Sequence, residues 1–455
     1  MKRSHLIKPI LDHNYPTVSH GSGIYLYDMD GNQYIDGSSG AVTASIGHGV
    51  LEVVDAMTEQ ASKVSFAYRS HFTSEAAETL AQKLSELAPG DLNWTFFVNS
   101  GSEATETAMK IAIQHWQEKG YERKNRIVSR WTSYHGITMG ALSMSGHVLR
   151  RKRFVPLLED FPGISAPYCY RCPYNSEPSS CRLQCANELE TAIQRIGSEN
   201  IAAFIAEPII GASAGAVTPP DGYYQRIKEI CERYDILFIA DEVMTGIGRT
   251  GKMFAMEHWG VTPDIIALGK GMSAGYTPMA ATLVSDRVME PILKGSNSIM
   301  AGHTYSANPL SAAVSLEVLN YIERKNLVQE AEEKGQYLLQ QLHGLAERFD
   351  IIGDVRGKGL LLGLEFVSNR ISKKSFRLQN GITTRIVNKA FEKGLLIYPA
   401  SGAIEGIEGD AVIISPPLVI SNEEIDRLVK MLEASIEELQ HELHAEGLIE
   451  NMQAI

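Results

Sequence analysis

The sequence predicts an α/β protein: a mostly parallel central sheet with helices on both faces, plus a smaller α+β domain drawn from both chain ends. Three observations carry this expectation. From Trp94 onward, short apolar runs alternate with helical patterns, the arrangement that feeds parallel strands. At 455 residues the chain is too long for one simple core and fits two domains. After Arg324 the texture changes to a mixed succession of strands and helices.

The elements follow in order. Gly23 to Asp36 reads as a hairpin, with alternating apolar residues around the turn Asp28-Met29-Asp30-Gly31. Helical patterns cover Leu51–Val64 and Ser74–Leu87. Trp94–Val98 is a strand, and Ala104–Lys119 a helix. Arg126–Ser129 and Ile201–Glu207 are strands, Gly222–Tyr234 is a helix, and Ile236–Asp241, Ile265–Gly269 and Met279–Val284 are strands. Asn308–Arg324 is a long helix between domains. Gly359–Phe366 and Ala411–Ile414 then read as strands, and Thr383–Lys393 and Glu423–His441 as helices. The expected division is residues 1–58 as an N-terminal part of the small domain, 59–324 as the large domain, and 325–455 as the C-terminal small domain.

A net charge of −12 argues against a nucleic-acid surface. The one basic cluster, Arg150-Arg151-Lys152-Arg153, reads as a solvated helix end rather than a phosphate patch. No apolar run reaches the ~18 residues of a membrane span, and Met1–Ile10 lacks the apolar core of a secretory signal. A cytoplasmic location follows as the expectation. Cys231 reads as a buried small apolar residue. Cys169, Cys172, Cys181 and Cys185 have spacing that resembles a four-thiolate zinc knot, in an irregular stretch marked by Pro167, Pro173 and Pro178. Bound zinc, free thiols and oxidised pairs all remain open. No His or carboxylate motif suggests a catalytic metal.

The chemistry sits at strand ends, where open α/β sheets bind ligands. Lys270 emerges after Ile265-Ile266-Ala267-Leu268-Gly269, and Asp241 ends Ile236-Leu237-Phe238-Ile239-Ala240. A strand-end lysine and a strand-end carboxylate are the minimal kit of a pyridoxal phosphate (PLP) enzyme. The lysine forms the Schiff base and then shuttles the Cα proton; the carboxylate keeps the pyridine nitrogen protonated. Asn99-Ser100-Gly101-Ser102 precedes a helix, so Gly101 and Ser102 can close on a phosphate through backbone N–H groups and a hydroxyl. Tyr134, in Tyr134-His135-Gly136, offers a ring to stack on the cofactor. His135 reads as structural, because Lys270 already supplies the proton shuttle.

The run Leu237 to Gly251, with Asp241-Glu242-Val243 and Gly246-Ile247-Gly248-Arg249-Thr250-Gly251, followed by Pro263-Asp264 to Lys270, resembles the signature of class III aminotransferases. The resemblance spans nearly the whole chain and implies a fold-type I PLP enzyme. It places Val243 on the ring face opposite Tyr134, and Glu207 near the ring substituents, with a structural salt bridge as its alternative role. It sends Thr304 to the phosphate of the neighbouring subunit's cofactor, so a homodimer with shared active sites is implied. Glu242 and Arg249 belong to the signature and read as structural.

Two departures bear on substrate. Ornithine- and 4-aminobutyrate-type members carry an arginine just before the Pro-Pro pair, where this chain has Ile413 ahead of Pro416-Pro417. The ω-transaminase type places a mobile arginine slightly earlier, yet Tyr398–Asp410 contains none. Arg69 becomes the candidate carboxylate anchor. The paired tryptophans common in diaminopelargonate synthases are also absent, with Gly37–Val42 in their place. The expected reaction moves an amino group from an amine or ω-amino acid to a 2-oxo acid, with pyruvate the expected acceptor. An aminomutase or epimerase, or a diaminopelargonate-type aminotransferase, is the alternative.

Overall fold

The computed structural model describes residues 5–177, 180–404 and 406–449; Pro178 and Glu405, which entered the sequence reading, lie outside them. Its largest sheet has seven strands in the order Trp94–Val98, Ala280–Val284, Ile265–Leu268, Leu237–Asp241, Ile201–Ala206, Arg126–Arg130 and Gly163–Ile164. Ala280–Val284 runs antiparallel to both neighbours, and every other pairing is parallel. The two reversals cancel, so Trp94–Val98 ends on the same edge as the rest. Ile201–Ala206, Leu237–Asp241 and Ile265–Leu268 are buried throughout. That is the signature of strands covered on both faces, and it is why they read as unbroken apolar runs.

Two four-stranded sheets complete the molecule. One joins Val18–Ser22, Tyr25–Asp28 and Gln33–Asp36 to Leu395–Leu396, in parallel register at Ile35 and Asp36. The other has the order Ile352–Lys358, Leu361–Phe366, Glu408–Ile414, Tyr398–Ile404. The smaller α+β region is thus built from both chain ends. Its edge strands were not expected. Tyr398–Ile404 carries Pro399 and Gly402, and Ile352–Lys358 carries Gly353 and Gly357, residues that an edge strand tolerates and a sequence reader takes for turns.

Helix Leu327–Arg348 was also unforeseen. Its preceding residue, Asn326, adopts a left-handed conformation and caps no N–H group, so the usual start signal is missing. Helix Pro309–Arg324 begins with Asn308 capping Ser311 N–H and Pro309 in the first turn. No helix among the described residues is long and apolar enough to cross a membrane.

Candidate active site

A cleft of about 650 Å³ opens at the carboxyl ends of the central strands. Lys270, Asp241, Tyr134, Gly101, Ser102, Glu207 and Val243 all line it, together with His135, Gly136, Ile209, Ala212, Met244 and Thr245. Asp241 is the last residue of its strand, Glu207 directly follows Ala206, and Lys270 lies two residues past Leu268. Lys270 takes a left-handed backbone, φ 43°, a conformation that costs a non-glycine residue of order 1–3 kcal/mol. Its side chain lines the cleft. Burial pulls the amine down to about 8, against the opposing pull of the Asp241 and Glu207 carboxylates.

Asp241 is held from two sides. Its Oδ2 accepts His135 Nδ1–H at 2.7 Å, and its Oδ1 accepts the Val243 N–H at 3.1 Å. An ionised carboxylate only accepts, so Nδ1 carries the ring proton. His135 is itself fixed by its backbone: its N–H donates to Ser145 Oγ, and its carbonyl accepts Thr105 Oγ1–H. Its Nε2 is buried with no partner. Glu207 accepts the N–H groups of Tyr134 and Gly211, each at 3.1 Å, and makes no ion pair among the described residues. The alternative role as one half of a salt bridge is therefore not what its geometry shows. Burial raises its carboxyl above the ordinary range.

The helix Gly101–Glu118 points its N-terminus at the cleft. Ser100 caps it by accepting the Glu103 N–H, which leaves the N–H groups of Gly101 and Ser102 without an intrahelical acceptor. Ser102 Oγ accepts the Ile137 N–H, so its own hydroxyl proton is free to donate. The cradle is tight. A Cβ at Gly101 would lie 2.6 Å from Val243 Cγ1, and one at Gly136 would lie 2.5 Å from Ser102 Oγ. Gly136 also sits at φ 132°, where side chains are strained.

Residues 10–436 match the family model for class III aminotransferases. The chain belongs to this family. The uncharacterized aminotransferase YodT of Bacillus subtilis is 54% identical over 440 residues, covering 97% of this chain and 99% of that one. A putrescine–pyruvate aminotransferase of Pseudomonas aeruginosa is 34% identical, covering 95% and 94%. The crystal structure of an (S)-enantioselective ω-transaminase from Thermomicrobium roseum superposes with a TM-score of 0.89 at 36% identity, covering 96% of each chain. The aminotransferase fold is fold type I.

Class III aminotransferases depend on PLP, and the residues present fit that group. A buried carboxylate and a neutral-prone amine face one cleft. Beside them is an anion cradle that any added Cβ would fill, and Tyr134 and Val243 both line the same space.

Other residues singled out in the sequence lie outside this cleft. Thr304 is exposed on the turn after Gly302-His303 and does not line the cleft of its own chain. Arg69 lies beyond the cleft, donating to Ala301 O at 2.8 Å with its guanidinium over Phe96. All five cysteines are reduced, and no group of three or more His, Cys, Asp or Glu side chains among the described residues is arranged to hold a metal. Cys185 is buried on helix Gln184–Ile196 within the main core, and burial pushes its thiol up to about 12.

Glu242 and Arg249 are structural, each on its own. Glu242 accepts from the Ala255 and Met256 N–H groups and from Thr245 Oγ1. Arg249 donates to Leu360 O, Pro416 O and Ser39 Oγ, tying three distant segments together.

Proposed function

We propose that this aminotransferase moves a terminal amino group from an amine or ω-amino acid to a 2-oxo acid, with pyruvate as the acceptor. The observation that carries the reading is the residue that stands ahead of the Pro-Pro pair. Ile413 stands buried, paired in register with Gly363 and Tyr398, where α-carboxylate-gripping relatives have arginine. A substrate carboxylate finds no cation at that position, and a donor that is a simple amine needs none there. The P. aeruginosa relative, a putrescine–pyruvate aminotransferase by name, supports both halves.

When bound, PLP supplies the electron sink for carbanion formation at the donor's amine-bearing carbon. Lys270 Nζ would anchor the cofactor covalently; once freed, it would take the proton from that carbon and hand it on within the same half-reaction, and the acceptor half-reaction would run the same transfer backwards. Its burial-lowered affinity for protons keeps a neutral fraction available. Asp241 holds the pyridine nitrogen protonated, clamped by His135. Tyr134 and Val243 would hold the ring between them, and Gly101 and Ser102 would bind the phosphate. Glu207 fixes the cleft wall through the Tyr134 backbone.

Thr304 of a second copy completes the phosphate site, making the enzyme a homodimer with shared sites. The exposed apolar side chains Phe66, Tyr68, Phe72 and Tyr305 beside that turn support such a contact.

The test is a spectrophotometric half-reaction. PLP-loaded enzyme mixed with an amine alone should convert fully to the pyridoxamine form, and pyruvate should reverse the change. Turnover without any 2-oxo acid would assign a mutase or epimerase. Turnover with 8-amino-7-oxononanoate but not pyruvate would assign the diaminopelargonate type. No spectral change with any amine would remove the aminotransferase reading.

A further inference from the structure

The basic run Arg150–Arg153 does not behave as one solvated helix end. Arg151 donates to the Ser143 and Ser145 carbonyls and lies over Trp131. Lys152 and Arg153 are exposed. Arg150 turns toward Tyr134, which lines the cleft. Its guanidinium carbon stands 4.4 Å from the centre of the Tyr134 ring, half-buried. No hydrogen bond or ion pair engages that guanidinium among the described residues. Its positive charge disfavours protonation of both Lys270 and His147, so it acts on the cleft interior.

The fold holds the helix that carries this arginine against the small sheet. The short helix Val148–Arg151 packs on the turn between Tyr398–Ile404 and Glu408–Ile414, where a Cβ on Gly406 would land 2.1 Å from Val148 Cγ2. Stacking on Tyr134 fixes the guanidinium plane, so little side-chain freedom remains to be lost when a carboxylate docks. A fixed, unpaired, half-desolvated guanidinium is the donor geometry that a carboxylate engages with two parallel hydrogen bonds.

We propose that Arg150 is a carboxylate subsite at this cleft, receiving the remote carboxylate of ω-amino acid donors. The proposal rests on the aminotransferase reading for its substrates, but not for its binding test. A charge-assisted contact of this kind is worth roughly 1.5–3 kcal/mol, about 10- to 150-fold in affinity.

The experiment compares wild type, Arg150→Gln, Arg150→Lys and the exposed-site control Arg153→Gln, all PLP-loaded. Half-reactions with 5-aminopentanoate and with pentylamine give a carboxylate-over-neutral rate ratio. Calorimetry with pentanoate, which cannot react, gives carboxylate binding alone. Arg150→Gln should lower the ratio and weaken pentanoate binding by about 10- to 150-fold, with Arg150→Lys intermediate and Arg153→Gln like wild type. If wild type binds pentanoate through Arg150 but reacts with neither amine, the subsite stands and the aminotransferase reading falls. An unchanged ratio with unchanged pentanoate binding in Arg150→Gln, or no pentanoate binding by wild type, overturns the proposal.

Discussion

Replacing His135 isolates what holds Asp241. The two side chains are buried, 0% and 4% exposed, and share a 2.7 Å hydrogen bond. Leucine matches the imidazole in size but donates nothing. A hydrogen bond to a charged acceptor contributes about 1.5–3 kcal/mol. Its loss leaves Asp241 Oδ2 without that donor. His135→Leu should therefore slow the donor half-reaction by about 10- to 150-fold, while the donor's apparent dissociation constant stays near wild type. His135→Asn places an amide N–H near the position of Nδ1 and should restore most of the rate. Single-turnover absorbance of the cofactor, at several donor concentrations, separates rate from binding. A loss below about threefold, roughly 0.7 kcal/mol, or an asparagine variant as slow as leucine, would refute the clamp. A loss as complete as that of Lys270→Ala would instead make His135 a proton carrier.

Three further outcomes are expected. The Lys270 amine is reactive only when neutral, and it titrates at about 8; loading of apoenzyme with PLP should quicken about tenfold per pH unit below that point and level off above it. A loading rate independent of pH between about 6 and 9 would refute the assignment. Gly136→Ala should strain the backbone and press on Ser102, costing roughly 1–3 kcal/mol in the cradle, so that dialysis strips PLP faster from a folded protein; unaltered retention would count against the cradle. Thr304→Ala mixed with Lys270→Ala should yield heterodimers with one active, fully loaded site; verified heterodimers without activity, or an active monomer, would end the shared-site reading.

The parts of the site that were legible in sequence are those whose environment is local. Leu237-Phe238-Ile239-Ala240 reads as a doubly covered strand because every residue in it is buried, and Asp241 then falls at its end without further information. Gly101 and Ser102 are placed by a strand, a serine cap and a helix in immediate succession. Other features depend on contacts across the chain. Whether Arg150 faces solvent or Tyr134 is decided by Val148 meeting Gly406, which no local pattern encodes. Glu207 carried an ion pair as its alternative role, but the backbone N–H groups of Tyr134 and Gly211 supply its donors. Pro399 and Gly402 hid an edge strand because their usual turn meaning lapses where one side of the backbone needs no partner.

The seam between the chain ends has a consequence for biosynthesis. Ser39 Oγ donates to Ser415 O across 376 residues, and Gln33–Asp36 finds its parallel neighbour only at Leu395–Leu396. At about 5–20 residues per second, the first hairpin leaves the ribosome roughly 20–75 s before Ser415 is made. During that interval Ile24 and Ile35, 1% and 2% exposed in the finished protein, have nothing to cover them. The central sheet can assemble meanwhile, since its strands all lie between residues 94 and 284. Nascent chains stalled before residue 395 should thus hold a protease-resistant middle and a cleavable beginning. The stretch written first is the last to fold.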